Sequence, residues 1–68
     1  MTIPFGILLR TARKEMELTQ AELGKQLEVT GSTISCWETQ RTHPRFIRLY
    51  KLSRVLHVRM GYFWNQKN

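Results

Sequence analysis

The sequence predicts an all-helical fold, a compact bundle of about five short helices. Apolar residues recur at spacings of three and four from end to end. Thr19 and Glu22 stand at the spacing of a capping box. No stretch alternates apolar and polar residues as a strand does. With 68 residues the chain has length for one domain at most. A core of that size covers only about 60% of the unfolded surface, which leaves stability marginal unless the chain pairs with something.

Each element follows from its pattern. Phe5, Leu8, Leu9, Ala12 and Met16 share a face, and Pro4 suits a first helical position, so a helix is expected from about Pro4 to Met16. At Thr19-Gln20-Ala21-Glu22, the threonine hydroxyl and the glutamate carboxylate can each satisfy the other's free backbone amide. That box opens a short helix to about Leu27, with Ala21, Leu23, Gly24 and Leu27 inward. Thr30, after Val29, is a second N-cap, and its helix runs to about Thr39. Beyond the polar stretch 40–43, Pro44 begins a longer helix with Phe46, Leu49, Tyr50, Leu52 and Leu56 facing inward. A short turn, Met60 to Trp64, comes last. There is no repeat and no low-complexity segment.

Charge is divided unevenly. Residues 1–38 hold four bases and five acids, a net −1, while residues 39–68 hold seven bases and no acid, a net +7, which together give the +6 of the whole chain. A run of uncompensated bases points to a polyanion or an acidic partner, or to a solvated surface that keeps a small protein soluble. One cysteine, Cys36, excludes an internal disulfide and sets a reducing, intracellular compartment as the expectation. The apolar opening, Ile3 to Leu9, is too short for a membrane span and lacks a basic lead-in, so no targeting segment is read.

The stretch TGSTISCWE, Thr30 to Glu38, separates into two faces on a helix. Ile34, Trp37 and Glu38 lie on one side, which packs inward. Gly31, Ser32, Ser35, Cys36 and Thr39 lie on the other, small and hydrogen-bonding, with the slimness to enter a groove.

At this point LTQAELGKQLEVTGSTISCWE resembles the helix-turn-helix of the Cro and phage-repressor (Xre-type) family of DNA-binding proteins. The resemblance covers roughly residues 8–64. It rests on the L-T-Q-A-E-L opening, a small residue at Gly24, Leu27 and Val29 about the turn, S-T-I-S, and W-E, which are weak singly and specific in this order. It implies a lambda-repressor-like domain over residues 1–68 with the motif at about 20–39. It implies that the helix beginning at Gln20 lies across the DNA backbone with its positive end toward a phosphate, Thr19 and Gln20 adjoining. The helix beginning at Gly31 becomes the recognition helix in the major groove. Gly31, Ser32, Ser35 and Cys36 are then the base readers, and Thr30 and Thr33 lie nearer the backbone. Thr39, Gln40, Arg41 and Arg45 follow toward the phosphates.

The reader types depart from the long forked side chains that direct readout favours. A serine bonds several bases and a cysteine offers a small apolar contact to a thymine methyl. Close approach and modest discrimination per contact are therefore expected, with longer reach from Gln40 and Arg41 or from DNA shape. The same resemblance implies a structural ion pair between Arg13 and Glu38, since an unpaired carboxylate beside Trp37 would be costly. Three positions where the family has glycine hold Glu28, Gln40 and His57, at a cost of about a kcal/mol each or with altered turns. Thr39 replaces the family's asparagine, which puts one phosphate contact in doubt.

Arg48, Lys51 and Arg54 continue the basic row along the long helix, for solvation or for an acidic partner. Val55, Val58, Met60, Tyr62, Phe63 and Trp64 crowd a segment too small to bury them all. Part belongs to the core, and Val58, Met60, Tyr62, Phe63 and Trp64 are candidates for a dimer surface. His43 and His57 are isolated, Cys36 has no partner at ligand spacing, and no nucleophile–base pair or glycine-rich phosphate loop is present, so neither metal, cofactor nor catalysis is expected. Oxidation of Cys36 remains open as a way to lose a groove contact.

These observations converge on a sequence-specific DNA-binding regulator, a cytoplasmic repressor of bacterial or phage origin that binds double-stranded DNA as a homodimer. The rival is an antitoxin-like interaction module that grips an acidic protein, with DNA binding secondary.

Overall fold

The structure is a computed structural model describing residues 3–64, with Trp64 through its backbone alone. Among the described residues five helices follow one another: α1 (Phe5–Glu15), α2 (Gln20–Leu27), α3 (Gly31–Glu38), α4 (Phe46–Val55) and α5 (Gly61–Trp64). No strand occurs among the described residues. Helix α3 packs against α1 and α2, while α4 rests on α2 and α5 on α1. No helix is long and apolar enough to cross a membrane among the described residues.

One core serves all five helices. Leu9, Leu23, Leu27, Ile34 and Leu52 are its fully enclosed side chains, and Phe5, Ala12, Trp37, Leu49, Leu56 and Phe63 complete it. Two glycines allow the helices their close approach. A Cβ on Gly6 would fall 2.1 Å from the carbonyl oxygen of Glu38, and one on Gly24 would fall 2.7 Å from that of Val29. The first lets α1 cross the end of α3; the second closes the α2–α3 turn.

The helix ends are satisfied locally. Thr19 Oγ1 accepts from the Glu22 amide at 3.0 Å and Glu22 Oε1 accepts from the Thr19 amide at 2.8 Å. Thr30 Oγ1 caps α3 by accepting from the Thr33 amide at 3.1 Å. At the end of α2, the amides of Glu28 and Val29 return to the carbonyls of Lys25 and Gly24. Arg48 of α4 then donates to the Leu27 carbonyl at 2.9 Å, so this cation of the basic row caps a neighbouring helix rather than facing solvent alone. Tyr62 fixes α5 by donating from its hydroxyl to the Leu8 carbonyl at 2.9 Å. Burial first, and the nearby Glu15 charge second, push the Tyr62 phenol above its ordinary value of 10.0. The phenol's contribution is therefore complete below pH 10 and is lost as pH rises through the raised value.

Four expectations about orientation need correction. Phe46 and Tyr50 face outward, 68% and 42% exposed, because the buried row of α4 is Leu49, Leu52, Ser53 and Leu56. Ser53, whose hydroxyl donates to the Tyr50 carbonyl at 2.6 Å, takes an interior place on α4. The helix itself begins at Phe46, with buried Pro44 ahead of the N-cap Arg45. Met16, the residue after α1, is 37% exposed, and Ala21 is exposed on the first turn of α2.

Among the described residues, four other than glycine hold a left-handed backbone: Glu17 (φ 58°), Glu28 (φ 62°), Gln40 (φ 66°) and His57 (φ 58°). Three of these are the positions where the family has glycine; Glu17 is a fourth, closing α1. Glu28 is exposed at the end of α2, so Glu28→Gly relieves the backbone without removing a packed side chain. That variant should gain about 1 kcal/mol, seen as a melting temperature higher by roughly 4–8 °C. An unchanged or lower melting temperature would show that the turn is not strained.

Candidate nucleic-acid interface

The interface is built on how α3 is held. Its inner face puts Ile34 and Trp37 into the core, 0% and 5% exposed. Glu38 completes that face with a side chain that is 3% exposed, against 9% for its partner Arg13. Arg13 donates Nε–H to Glu38 Oε2 at 2.6 Å and Nη2–H to Oε1 at 3.1 Å, a two-pronged charge-assisted contact. Its Nη1 donates to the Leu18 carbonyl at 2.8 Å. Gln20 at the start of α2 donates Nε2–H to Glu38 Oε1 at 3.1 Å. Arg10, largely exposed, lies 4.0 Å from the same oxygen. A single carboxylate thus ties α3 to α1 and α2.

This network bears on Gln20 directly. The side chain assigned to a phosphate spends one amide hydrogen on Glu38 and keeps the other, so its position is set by the protein before any anion arrives. The first turn of α2 also carries the Glu22 carboxylate in its capping box. Thr19 is exposed beside it.

Along the outer side of α3, Ser32 is exposed and Gly31, Thr33, Ser35 and Cys36 are half-buried. Thr30 and Thr33 share a hydroxyl contact of 3.1 Å at the N-cap, so both are committed locally. The Thr39 hydroxyl donates to the Ser35 carbonyl at 2.9 Å. Ser32, Ser35 and Cys36 make no side-chain hydrogen bond within the described residues and are the unengaged groups of this face.

The loop after α3 gives the least anticipated arrangement. Gln40, in its left-handed conformation, accepts from the Gly6 amide through Oε1 at 2.6 Å and so caps α1. Only its amide hydrogens remain for an outside acceptor, which reduces the reach assigned to it. Arg41 and Arg45 are exposed on this loop. His43 tilts against Phe5, with ring centroids 4.6 Å apart, and its Nδ1 lies 3.0 Å from the Pro44 carbonyl. The Gln40–Gly6 bond had no sequence signal beyond the positive φ expected at position 40.

At the C-terminal turn, Phe63 is core at 3% exposed, and Val58, Met60 and Tyr62 pack half-buried against it. The side chain of Trp64 lies outside the described residues. Among the described residues no group of three or more His, Cys, Asp or Glu side chains is placed to hold a metal ion.

A capped α2, a tight turn, and a second helix with a buried aromatic side and a slim polar side define a helix-turn-helix domain. The chain belongs to the helix-turn-helix family of the Cro/Xre type, whose model matches residues 9–63. Among curated proteins it is similar to the repressor protein C2 of Salmonella phage P22, 37% identical over 57 residues, 84% of this chain and 26% of that protein. This chain therefore spans about a quarter of the phage protein's length. It is also 41% identical over 49 residues to an uncharacterized HTH-type transcriptional regulator of Methanothermobacter thermautotrophicus, covering 72% of this chain and 71% of that one. Among solved structures, the P22 c2 repressor in complex with a synthetic operator matches with a TM-score of 0.86 and 35% identity, over 91% of this chain and 94% of that one.

Arg13→Ala would strand the Glu38 carboxylate inside. The variant should lose roughly 3–5 kcal/mol in denaturant unfolding, and a protein that unfolds like the parent would end the structural assignment of the pair.

Proposed function

We infer that this chain is a sequence-specific, DNA-binding transcriptional repressor, working as one domain over its 68 residues. The observation that carries this is the orientation of α3. Its bulky residues are locked inward while Ser32, Ser35 and Cys36 stand unengaged on a face narrow enough for the major groove, which is about 12 Å wide. The match to an operator-bound repressor over most of both chains supports the reading.

In this reading Gly31, Ser32, Ser35 and Cys36 approach base edges. Thr19, Gln20 and the free amides of the first turn of α2 face one phosphate. Arg41, Arg45, Thr39 and the amide of Gln40 face others, with Thr30 and Thr33 holding the N-terminus of α3 in place between them. Phosphate contacts set register and short side chains read few base edges, so affinity is mainly electrostatic. Two copies, with recognition helices about 34 Å apart, read a pseudo-palindromic operator. The protein acts in the cytoplasm on a bacterial or phage genome, needs no cofactor, and performs no catalysis.

Two measurements test this. If about six phosphates are neutralised per dimer, log K should fall against log salt with a slope of roughly −5; binding indifferent to salt contradicts the assignment. Ser32→Ala with Ser35→Ala should narrow the affinity gap between a selected duplex and random DNA, while leaving binding to random DNA unchanged. An undiminished gap removes both serines from the reading face.

A further inference from the structure

Helix α4 and its N-cap carry Arg45, Arg48, Lys51 and Arg54, and the sequence holds no acid from residue 39 onward. Among the described residues no carboxylate pairs with any of these cations. Arg48 is half-buried and donates to the Leu27 carbonyl, and Arg45 belongs to the loop assigned to phosphates. Lys51 and Arg54 are exposed and have no part in the face assigned to DNA. Arg54 is held in place. Its Nη1 donates to the Tyr50 hydroxyl at 3.1 Å, and its guanidinium carbon lies 5.9 Å from the ring centroid.

One turn earlier the same side of the helix is apolar. Phe46, Ile47 and Tyr50 are 68%, 58% and 42% exposed. Residues 46, 50 and 54 form one row of the helix surface, and 47 and 51 the row beside it. From 46 to 54 the rows run about 12 Å, a little over two turns, passing from apolar to cationic. Three side chains this exposed offer roughly 300 Å², a patch size that is often functional on a monomer.

We propose that this outer face of α4 docks an acidic, amphipathic helix of another protein, its apolar stripe over Phe46, Ile47 and Tyr50 and its carboxylates on Lys51 and Arg54. Charge chooses the occupant. A second copy of α4 would bring cations only to cations. A phosphate backbone would satisfy Lys51 and Arg54 but leaves the apolar residues uncovered. A membrane surface asks for a broad apolar face, and the larger apolar side of α4, with Leu49 and Leu52, is committed to the core. An acidic helix with apolar residues at spacings of three and four matches both halves at once. Arg54, already oriented by Tyr50, presents its planar fork to an incoming carboxylate. The patch is too small for the ~1,200 Å² of a stable complex, so the contact is transient. The chain thereby carries one face for DNA and a separate one for an acidic protein.

The test titrates the full chain, observed by amide NMR, with a synthetic helix of about 15 residues that carries one leucine stripe bordered by glutamates. Amide shifts should move at residues 46–54 with a Kd of roughly 100 µM. The same peptide with lysines for glutamates should leave them fixed. Lys51→Glu with Arg54→Glu should weaken the acidic peptide about tenfold or more, and Ile47→Ser about fivefold. All three substitutions are at exposed positions, and the unshifted remainder of each spectrum reports an intact fold. Residues 46–54 that stay fixed at millimolar acidic peptide overturn the proposal, as do shifts centred on residues 31–45 or variants that bind as the parent does. If vesicles of equal phosphatidylcholine and phosphatidylglycerol, or a short DNA duplex, perturb residues 46–54 while the acidic peptide does not, the face belongs to a membrane or to DNA and the proposal falls.

Discussion

Glu38 carries a carboxylate that is 3% exposed, beside the indole of Trp37, at the last turn of a helix of only eight residues. A charge in such a place is stable only when its oxygens are occupied with good geometry. Arg13 occupies both, and Gln20 shares one of them. The consequence is mechanical. Helix α1 supplies the cation, α2 supplies the amide, and α3 is fixed in rotation between them. Arg13 also reaches the Leu18 carbonyl, so the segment joining α1 to α2 is set by the same guanidinium. Replacing this pair by an apolar swap would leave Ile34 and Trp37 in the core and remove the polar tie of α3 to α1 and α2.

That azimuth decides what faces the solvent. With Ile34, Trp37 and Glu38 inward, the outward residues are glycine, two serines and a cysteine. Short side chains bring a helix backbone close to whatever it meets, and they discriminate weakly one by one. Specificity from such a face comes from contact in register, which depends on rigid placement more than on reach. The same economy of size appears inside, where the absence of a Cβ at Gly6 lets α1 meet the backbone end of α3, and its absence at Gly24 lets the α2–α3 turn fold back onto α2. Gln20 and Gln40 each give part of their hydrogen-bonding capacity to this framework.

Much of the fold was legible because its signals are local. Thr19 with Glu22, and Thr30 before Gly31, mark helix starts by chemistry confined to one turn, and the spacing of Leu9, Ala12, Leu23 and Leu27 marks the inner faces. The resemblance to repressors supplied what is not local: the Arg13–Glu38 pairing and the left-handed positions at Glu28, Gln40 and His57. Reading failed where a side chain's direction depends on a distant neighbour. Phe46 and Tyr50 look like core by composition, but the interior is filled by Leu49, Leu52, Ser53 and Leu56, and both aromatic residues stay outside. Arg48 reads as one more surface cation until the Leu27 carbonyl is found 2.9 Å from it. Nothing in the spacing of Gly6 and Gln40, 34 positions apart, announces that one caps the other's helix.

Arg13 and Glu38 act as one unit in holding α3. A double-mutant cycle on Arg13→Met and Glu38→Leu measures that directly, with unfolding free energy as the readout. The two losses should be strongly non-additive, with a coupling of about 2–3 kcal/mol, because the second substitution removes the charge that the first leaves stranded. Losses that sum to within about 0.5 kcal/mol would mean that the two residues stabilise the protein independently, and that something else orients α3.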